Sequence, residues 1–231
     1  MGCLGGQVGM MTGSPTLALQ VLYGTYLRSL LVWRTITTYS VLQNVYTYVT
    51  YFISATKLKA TIYYESECKY SKQFIQEQIA PSYESLKDLV DFVYVPFGKS
   101  SHTKNDDGSL NFTCQHGPLE CYGNVWELCA LDMIGPNQDV QTQFVICDMN
   151  ITNAREQCTL DAGLSVLDVK DCVDTRGTSL ELKAELVTAP IIEQSGKVPT
   201  VVYNDIYNTT EYYGAVVDFA GYTNFKLSEI V

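Results

Sequence analysis

Positive charge is scarce in this chain. Its 231 residues include 15 lysines and arginines against 25 aspartates and glutamates, so the formal net charge at pH 7 is −10. A nucleic-acid-binding surface needs clustered basic residues to meet phosphates, so this composition argues against such a partner. Charged residues make up only 17% and hydrophobic residues 46%, which is typical of one folded domain and not of a disordered chain.

Carboxylates are absent from the first 64 positions, because the first acidic residue is Glu65. We therefore expect residues 1–55 to be separate from a folded domain that spans residues 56–231. The uncharged run 35–55 is long enough to cross a bilayer, but nine of its 21 residues are Thr, Ser, Asn or Gln. We interpret the segment as a signal-like sequence or a misassigned start, and we expect no stable membrane span.

Histidine is also scarce, with two residues against eight cysteines. A zinc site would need paired Cys or Cys/His ligands, so disulfides are the favoured interpretation of the cysteines. Three N-x-[ST] sequons mark Asn111, Asn150 and Asn208 as candidate glycosylation sites. Clustered cysteines and sequons together indicate an oxidising, secretory compartment. The six disulfide candidates lie close together in the chain: Cys114, Cys121, Cys129, Cys147, Cys158 and Cys172.

The number of cysteines points to a free thiol at Cys68. With Cys3 set aside, the six clustered cysteines can form three bridges in 15 possible ways, which leaves Cys68 without a partner. A free thiol in a secreted chain is either reactive or paired between chains. A bridge from Cys68 into the cluster, with another cysteine left free, stays open as an alternative.

The hydrophobic pattern predicts a strand–helix–strand unit. Residues 58–64 and 90–97 are β-rich, and residues 71–79 between them have helical spacing, with Pro81 expected to break or kink the helix. The two strands should therefore be parallel. A polar loop is predicted at 98–109. Later predicted elements are helices near 125–133, 142–147 and 164–186, a strand at 198–203, and then a further strand and a short helix. This layout indicates an α/β, thioredoxin-like fold with a disulfide-rich helical insertion.

Cys68 is predicted to lie where the first strand ends and a helix begins. Backbone N–H groups at a helix N-terminus stabilise a thiolate, which is the nucleophilic form of cysteine. The motif is C-x-x-S, so Ser71 can orient the thiolate but cannot resolve a mixed disulfide. Pro199 opens the later strand, where a cis proline in thioredoxin-like folds packs against the active cysteine.

Residues 114–129 fit the pattern C-Q-H-G-x2-E-C-x2-N-x4-C at all eight fixed positions. This segment resembles the signature of the gamma-interferon-inducible lysosomal thiol reductase (GILT) family. The resemblance implies a thioredoxin-like fold and reduction of protein disulfides in lysosomes or after secretion. It implies that Cys68 is the attacking cysteine, that Ser71 replaces the resolving cysteine, and that Pro199 shapes the substrate groove.

The resemblance also implies structural roles for Cys114, Cys121 and Cys129, and we expect His116 to be buried or helix-capping. The sequence thus predicts a thiol oxidoreductase with one nucleophilic cysteine, acting on disulfide-containing proteins. An external thiol such as glutathione or cysteine would be the reductant, with no metal or organic cofactor. The alternative is a non-catalytic secreted binding protein that retains the fold.

Overall fold

The structure is a computed structural model that describes residues 57–150, 152 and 154–229. The predicted N-terminal segment, residues 1–55, lies outside the described residues. The strands are β1 (Leu58–Tyr64), β2 (Val90–Pro96), β3 (Ser101–Lys104), β4 (Leu110–Thr113) and β5 (Thr200–Tyr203). The helices are α1 (Lys69–Phe74), a π-helical segment (Ile75–Ile79), α2 (Ala80–Leu86), α3 (Pro118–Ile134), α4 (Gln138–Asp148), α5 (Arg155–Asp161), α6 (Val166–Thr175), α7 (Gly177–Ser195), α8 (Thr209–Val217) and α9 (Phe219–Ser228).

Strand β1 is the centre of a three-stranded sheet of order β2-β1-β5. It pairs in parallel with β2, with Leu58 opposite Val90, and antiparallel with β5, with Ile62 opposite Val201. The connection between the parallel strands is helical, as the strand–helix–strand pattern predicts. Together with the disulfide-rich helices that precede β5, this topology confirms the predicted α/β, thioredoxin-like fold with a helical insertion.

The sheet buries both of its faces. Successive side chains of a strand point to opposite sides, so Ile62 and Tyr64 pack into the main core with Trp126 of α3. Tyr63 points the other way and packs with Ile191 of α7 in a second, smaller core. Burial on both faces explains why β1 is a nearly continuous run of buried residues rather than an alternating one.

Of the break or kink predicted at Pro81, the break is wrong. Helical conformation continues from Lys69 to Leu86, because a π-helical segment directly precedes α2 and places Pro81 in the first turn of that helix. A proline is tolerated in a first turn because the hydrogen bond that its missing N–H would donate is not required there.

Two other predictions differ from the structure. The predicted polar loop at 98–109 contains β3 and is followed by β4, and these strands form an antiparallel hairpin. The residues of β3 are all polar and exposed, and β4 alternates over only four residues, with Leu110 and Phe112 half-buried, so the hairpin has too short an apolar pattern to be recognised in the sequence. The C-terminal strand is also absent from the described residues, where α8 and α9 follow β5, each capped by a side chain, from Asn208 and Asp218 respectively.

Three disulfides hold the helical insertion together. One closes the loop before α3, another joins α3 to α6, and a third joins α4 to α5. The pairs are Cys114–Cys121, Cys129–Cys172 and Cys147–Cys158. Cys68 is buried and is the free cysteine of the described residues.

Helix α7 is the longest described helix, with 19 residues, and it packs on α3, α6 and β2. It ends at Gly196, which adopts a left-handed conformation with φ of 65°. Over the part of the chain that the structure describes, no helix combines the length and the apolar character needed to cross a bilayer.

Helix α7 buries a carboxyl group. Burial and the neighbouring carboxylate of Glu185 raise the pKa of Glu181 from 4.5 to about 7. Glu185 itself contacts the imidazole of His102 on the hairpin. Because the folded state keeps the proton of Glu181 up to about pH 7 and the unfolded state loses it near pH 4.5, this group makes the free energy of unfolding fall as the pH rises between those values.

Replacing Glu181 by Gln should therefore remove this decrease in the free energy of unfolding at high pH. A pKa difference of this size corresponds to at most about 3 kcal/mol of that free energy. We expect Glu181→Gln to unfold at higher urea than the parent chain at pH 8, with little difference at pH 4.5. Glu193→Gln, an exposed carboxylate on the same helix, is the control and should show no such gain. Equal effects of Glu181→Gln at both pH values would contradict the burial account.

Candidate functional site

Cys68 lies at the start of the helical segment, as predicted. It is the N-cap of α1, with extended backbone angles of φ −70° and ψ 120°. Its carbonyl accepts a hydrogen bond from Lys72 N–H at 2.9 Å, and its own N–H donates to the Glu65 carbonyl at 3.3 Å. The N–H groups of the first helical turn, which carry the positive end of the helix dipole, therefore lie directly after Cys68, although its side chain accepts no capping hydrogen bond from them.

Pro199 faces the same space as Cys68. The Val198–Pro199 peptide bond is cis, and it leads directly into β5. Cys68 and Pro199 line one cavity of about 470 Å³, together with His116, Lys99 and Lys197. The sulfur is only slightly exposed, but this cavity connects it to the surface. A disulfide-bearing segment that enters the cavity would meet the sulfur beside the proline.

Ser71, three residues after Cys68, is fully buried. Its hydroxyl oxygen accepts a hydrogen bond from the backbone N–H of Glu65 at 3.3 Å. This hydrogen bond connects the end of β1, which precedes Cys68, to the first turn of α1, which follows it. Its role toward the thiolate stays a prediction.

The imidazole of His116 adjoins the sulfur together with the carboxyl group of Glu65, and the sequence did not indicate the position of His116. One ligand-type atom from each of Glu65, Cys68 and His116 lies within 4.8 Å of the other two. Glu65 is completely buried, and burial raises the pKa of its carboxyl group. Its Oε1 accepts a hydrogen bond from Lys99 N–H at 2.7 Å, while its Oε2 has no hydrogen-bond partner among the described residues.

The loop before α3 positions His116. Glu120 reaches back from the first turn of α3, accepts the backbone N–H of His116 at 3.0 Å and holds the imidazole Nδ1 at 2.5 Å. The Cys114–Cys121 disulfide closes this loop around it. The side chain of His116 is 37% exposed, so the expectation of a buried histidine is wrong. The reason is that the buried Glu120, not the core, determines its orientation.

Asn124 joins the helical insertion to the Cys68 loop. Its side-chain oxygen accepts the N–H of Ser66 at 2.9 Å, and its amide group donates to Ser100 Oγ at 3.3 Å. The hydroxyl of Ser66 in turn donates to the carbonyl of Glu120 at 3.1 Å. The side-chain contact of Asn124 to the loop before Cys68 thereby explains the fixed Asn of the 114–129 pattern, whereas the side chain of the fixed Glu120 binds His116.

The acidic residues next to Cys68 are partly neutralised. Glu67 forms an ion pair with Lys72 at 2.7 Å and lies 3.8 Å from Arg155. Arg155 also pairs with the buried Asp148 at 3.0 Å. Because both cations face Glu67, its repulsion of a thiolate is weaker than its position in the sequence suggests.

The three candidate glycosylation sites lie in different environments. Asn111 is exposed on β4. Asn208 is exposed, but its side chain caps α8 by accepting the N–H groups of Thr210 and Glu211. Asn150 is half-buried, and its side chain accepts hydrogen bonds from Thr152. None of these contacts tests glycosylation, so all three sites stay predictions.

Comparison with known proteins agrees with the resemblance found in the sequence. The sequence profile of the family described as "Gamma interferon inducible lysosomal thiol reductase (GILT)" matches residues 59–162. GILT-like protein 1 of Drosophila melanogaster is 32% identical over 186 residues, which covers 73% of this chain and 74% of that protein. The chain belongs to the GILT family.

Other relatives of this GILT-family protein are similarly distant. GILT-like protein 2 of Drosophila melanogaster is 33% identical over 172 residues, which covers 70% of this chain and 79% of that protein. Among solved structures, a thioredoxin-like oxidoreductase from Silicibacter pomeroyi DSS-3 has a TM-score of 0.44 and 11% sequence identity, covering 71% of this chain and 86% of that chain.

Gly98 makes room for Glu65. It adopts a positive φ of 57°, and a Cβ atom at this position would lie 2.2 Å from Glu65 Cγ. We expect Gly98→Ala to lower the free energy of unfolding by about 3 kcal/mol, from backbone strain and from displacement of a buried, hydrogen-bonded carboxyl group.

Gly196→Ala separates these two causes. Gly196 has a similar φ of 65° but nothing within 4 Å of the added Cβ, so this variant should lose only about 1 kcal/mol. Urea unfolding of both variants measures the difference. If the two substitutions cost the same, the close packing of Gly98 on Glu65 does not constrain the site.

Proposed function

We propose that this protein is a thiol–disulfide oxidoreductase that acts on protein disulfides through a single nucleophile, Cys68. The observation that carries the proposal is that the free Cys68 lies at a helix start and shares a cavity with the cis-linked Pro199. Thiol reductase is also the activity named in the description of the family.

The reaction proceeds in three exchanges. The Cys68 thiolate attacks one sulfur of the substrate disulfide, the substrate S–S bond breaks, and a mixed disulfide with Cys68 forms. The leaving thiolate takes a proton from water. An external thiol then attacks the mixed disulfide, releases the other half of the substrate as a thiol and forms a new mixed disulfide with Cys68. A second external thiol attacks that bond, restores the Cys68 thiolate and leaves as the oxidised external disulfide. Each substrate disulfide is reduced by two electrons, which the resolving thiols supply.

The second exchange needs a thiol that this centre lacks. Ser71 occupies the position from which a resolving cysteine would attack, and a hydroxyl does not carry out thiol–disulfide exchange. The resolving thiol is therefore an external one, such as glutathione or cysteine, or a second thiol of the substrate. Lys99 and Lys197 line the cavity and suit a small thiol that carries carboxylates.

The proposed location is the lysosome or the extracellular space. Relatives of this chain carry the word "lysosomal" in their names, including a protein of Carassius auratus. Three disulfides within the described residues suit an oxidising compartment. The substrates are disulfide-containing proteins, in keeping with the thiol reductase name.

A non-catalytic binding protein is the second candidate, and Ser71 is the observation that favours it. Under this alternative the cavity beside Cys68 holds a partner segment, but no mixed disulfide is turned over. The two functions differ in what Cys68 contributes. Loss of Cys68 abolishes activity in the first and leaves binding intact in the second.

The proposal predicts a rate that depends on both Cys68 and external thiol. Reduction of a fluorescent disulfide-linked substrate at pH 5 should rise with glutathione concentration, above the uncatalysed rate. Cys68→Ser should lower the enzymatic rate at least about 100-fold, because no other group in the cavity can form the mixed disulfide. Cys3→Ser makes the same chemical change outside the described residues and should leave the rate unchanged. A parent rate no higher than that of Cys68→Ser would favour the binding protein.

A further inference from the structure

The cluster of Glu65, Cys68 and His116 offers three different metal-ligand atoms in one place. A carboxylate oxygen, a thiol sulfur and an imidazole nitrogen lie within 4.8 Å of one another. Within the described residues this is the one group of three such side chains that converges in this way. Sulfur, nitrogen and oxygen are the ligands that Zn²⁺ takes in proteins.

A buried oxygen without a partner points to a missing ligand. Glu65 is completely buried, and Lys99 N–H satisfies only its Oε1. Its Oε2 has no hydrogen-bond partner among the described residues, and it faces His116, with Nδ1 3.4 Å away. A buried polar atom of this kind calls for an explanation, and an ion that binds there would supply its missing partner.

The distances are close to those of a metal centre. A tetrahedral Zn²⁺ with bonds of about 2.3 Å to sulfur and about 2.0 Å to nitrogen and oxygen holds these atoms about 3.3–3.6 Å apart. Glu65 Oε2 lies 3.4 Å from Nδ1 of His116, so the imidazole ring is already next to this oxygen, while Nδ1 itself is hydrogen-bonded to Glu120. Closing the remaining gap to Cys68 needs a movement of about 1 Å, and the partly exposed side chain of His116 can make it.

The surroundings also favour a cation. The thiolate of Cys68 and the carboxylate of Glu65 together supply two negative charges to an ion in this cluster. Glu120 is completely buried and holds Nδ1 of the same imidazole at 2.5 Å, so it acts as an outer carboxylate that orients the histidine when the ring ligates the ion through Nε2. The cavity beside Cys68 leaves a fourth coordination position open to water.

We propose that Glu65, Cys68 and His116 bind a thiophilic divalent cation of the Zn²⁺ class, which reversibly blocks the Cys68 thiol. The ion takes the place of the thiol proton, which is released to solvent, so no electron is transferred. This site goes beyond the proposed function, because the metal is an inhibitory ligand of the resting thiol and not a cofactor of the exchange. It also differs from the zinc site set aside in the sequence, which would consist of paired cysteines.

The test measures protection of a thiol, without relying on turnover. The full chain, with its disulfides intact and Cys68 free, is treated with iodoacetamide with and without Zn²⁺, and alkylation of Cys68 is followed by peptide mass spectrometry. We expect Zn²⁺ to slow alkylation at least about tenfold, and a chelator to restore the rate. Calorimetry should find one Zn²⁺ per chain, and Cys68→Ser should lose it.

Three variants distinguish the cluster from a thiol that binds metal alone. Glu65→Gln keeps an oxygen for Lys99 N–H, and with His116→Gln it should weaken Zn²⁺ binding at least about tenfold. His102→Gln changes the only other histidine and should bind Zn²⁺ as the parent does. Thermal unfolding verifies that each variant is folded.

The proposal is overturned if Zn²⁺ protects Cys68 equally well in Glu65→Gln and His116→Gln, because the thiol would then be the only ligand. It is also overturned if Cys68→Ser retains the calorimetric binding, or if Zn²⁺ leaves the alkylation of the parent chain unchanged. None of these results bears on turnover, so they leave the proposed reductase activity to its own test.

Discussion

The hydrogen bond from Ser66 N–H to the side chain of Asn124 connects the sheet to the disulfide-rich helical insertion. On one side is the end of β1, which runs directly into Cys68. On the other is α3, the first helix of the disulfide-rich insertion. Together with the hydrogen bond from Ser66 Oγ to the Glu120 carbonyl, it holds the loop before Cys68 on α3, the helix whose Glu120 binds His116. The sulfur, the imidazole and the buried carboxyl group meet because this connection is rigid.

The electrostatic surroundings of Cys68 are balanced between opposing groups. The start of a helical segment supplies positive backbone dipoles, while Glu65 and Glu67 supply acidic groups. Glu67 is compensated by Lys72 and Arg155, whereas the buried Glu65 faces the imidazole of His116 at 3.4 Å and accepts the backbone N–H of Lys99. The helical insertion provides both Arg155 and His116, so it shapes the charge around the thiol as well as stabilising the fold.

Much of the fold could be predicted from local patterns. The strand at 58–64, the helical crossover and the free Cys68 follow from hydrophobic spacing and from counting cysteines. The meeting of Glu65 with His116 could not be predicted, because 51 positions separate them and the connection depends on buried polar contacts that leave no periodic signal. The disulfide pairing could not be predicted from the sequence either, since six cysteines allow 15 arrangements. The β3–β4 hairpin was missed because β3 has no apolar residue and the apolar alternation of β4 is only four residues long.

In the proposed function, Cys68 forms a mixed disulfide that Ser71 cannot resolve. The most direct measurement is a single turnover of the reduced chain with a disulfide-linked peptide pair in the absence of external thiol, followed by intact and peptide mass spectrometry. The account predicts one peptide held on Cys68 and released by added glutathione, whereas Ser71→Cys should release both peptides unaided. Release of both peptides by the parent chain, or an adduct on any residue other than Cys68, would contradict it.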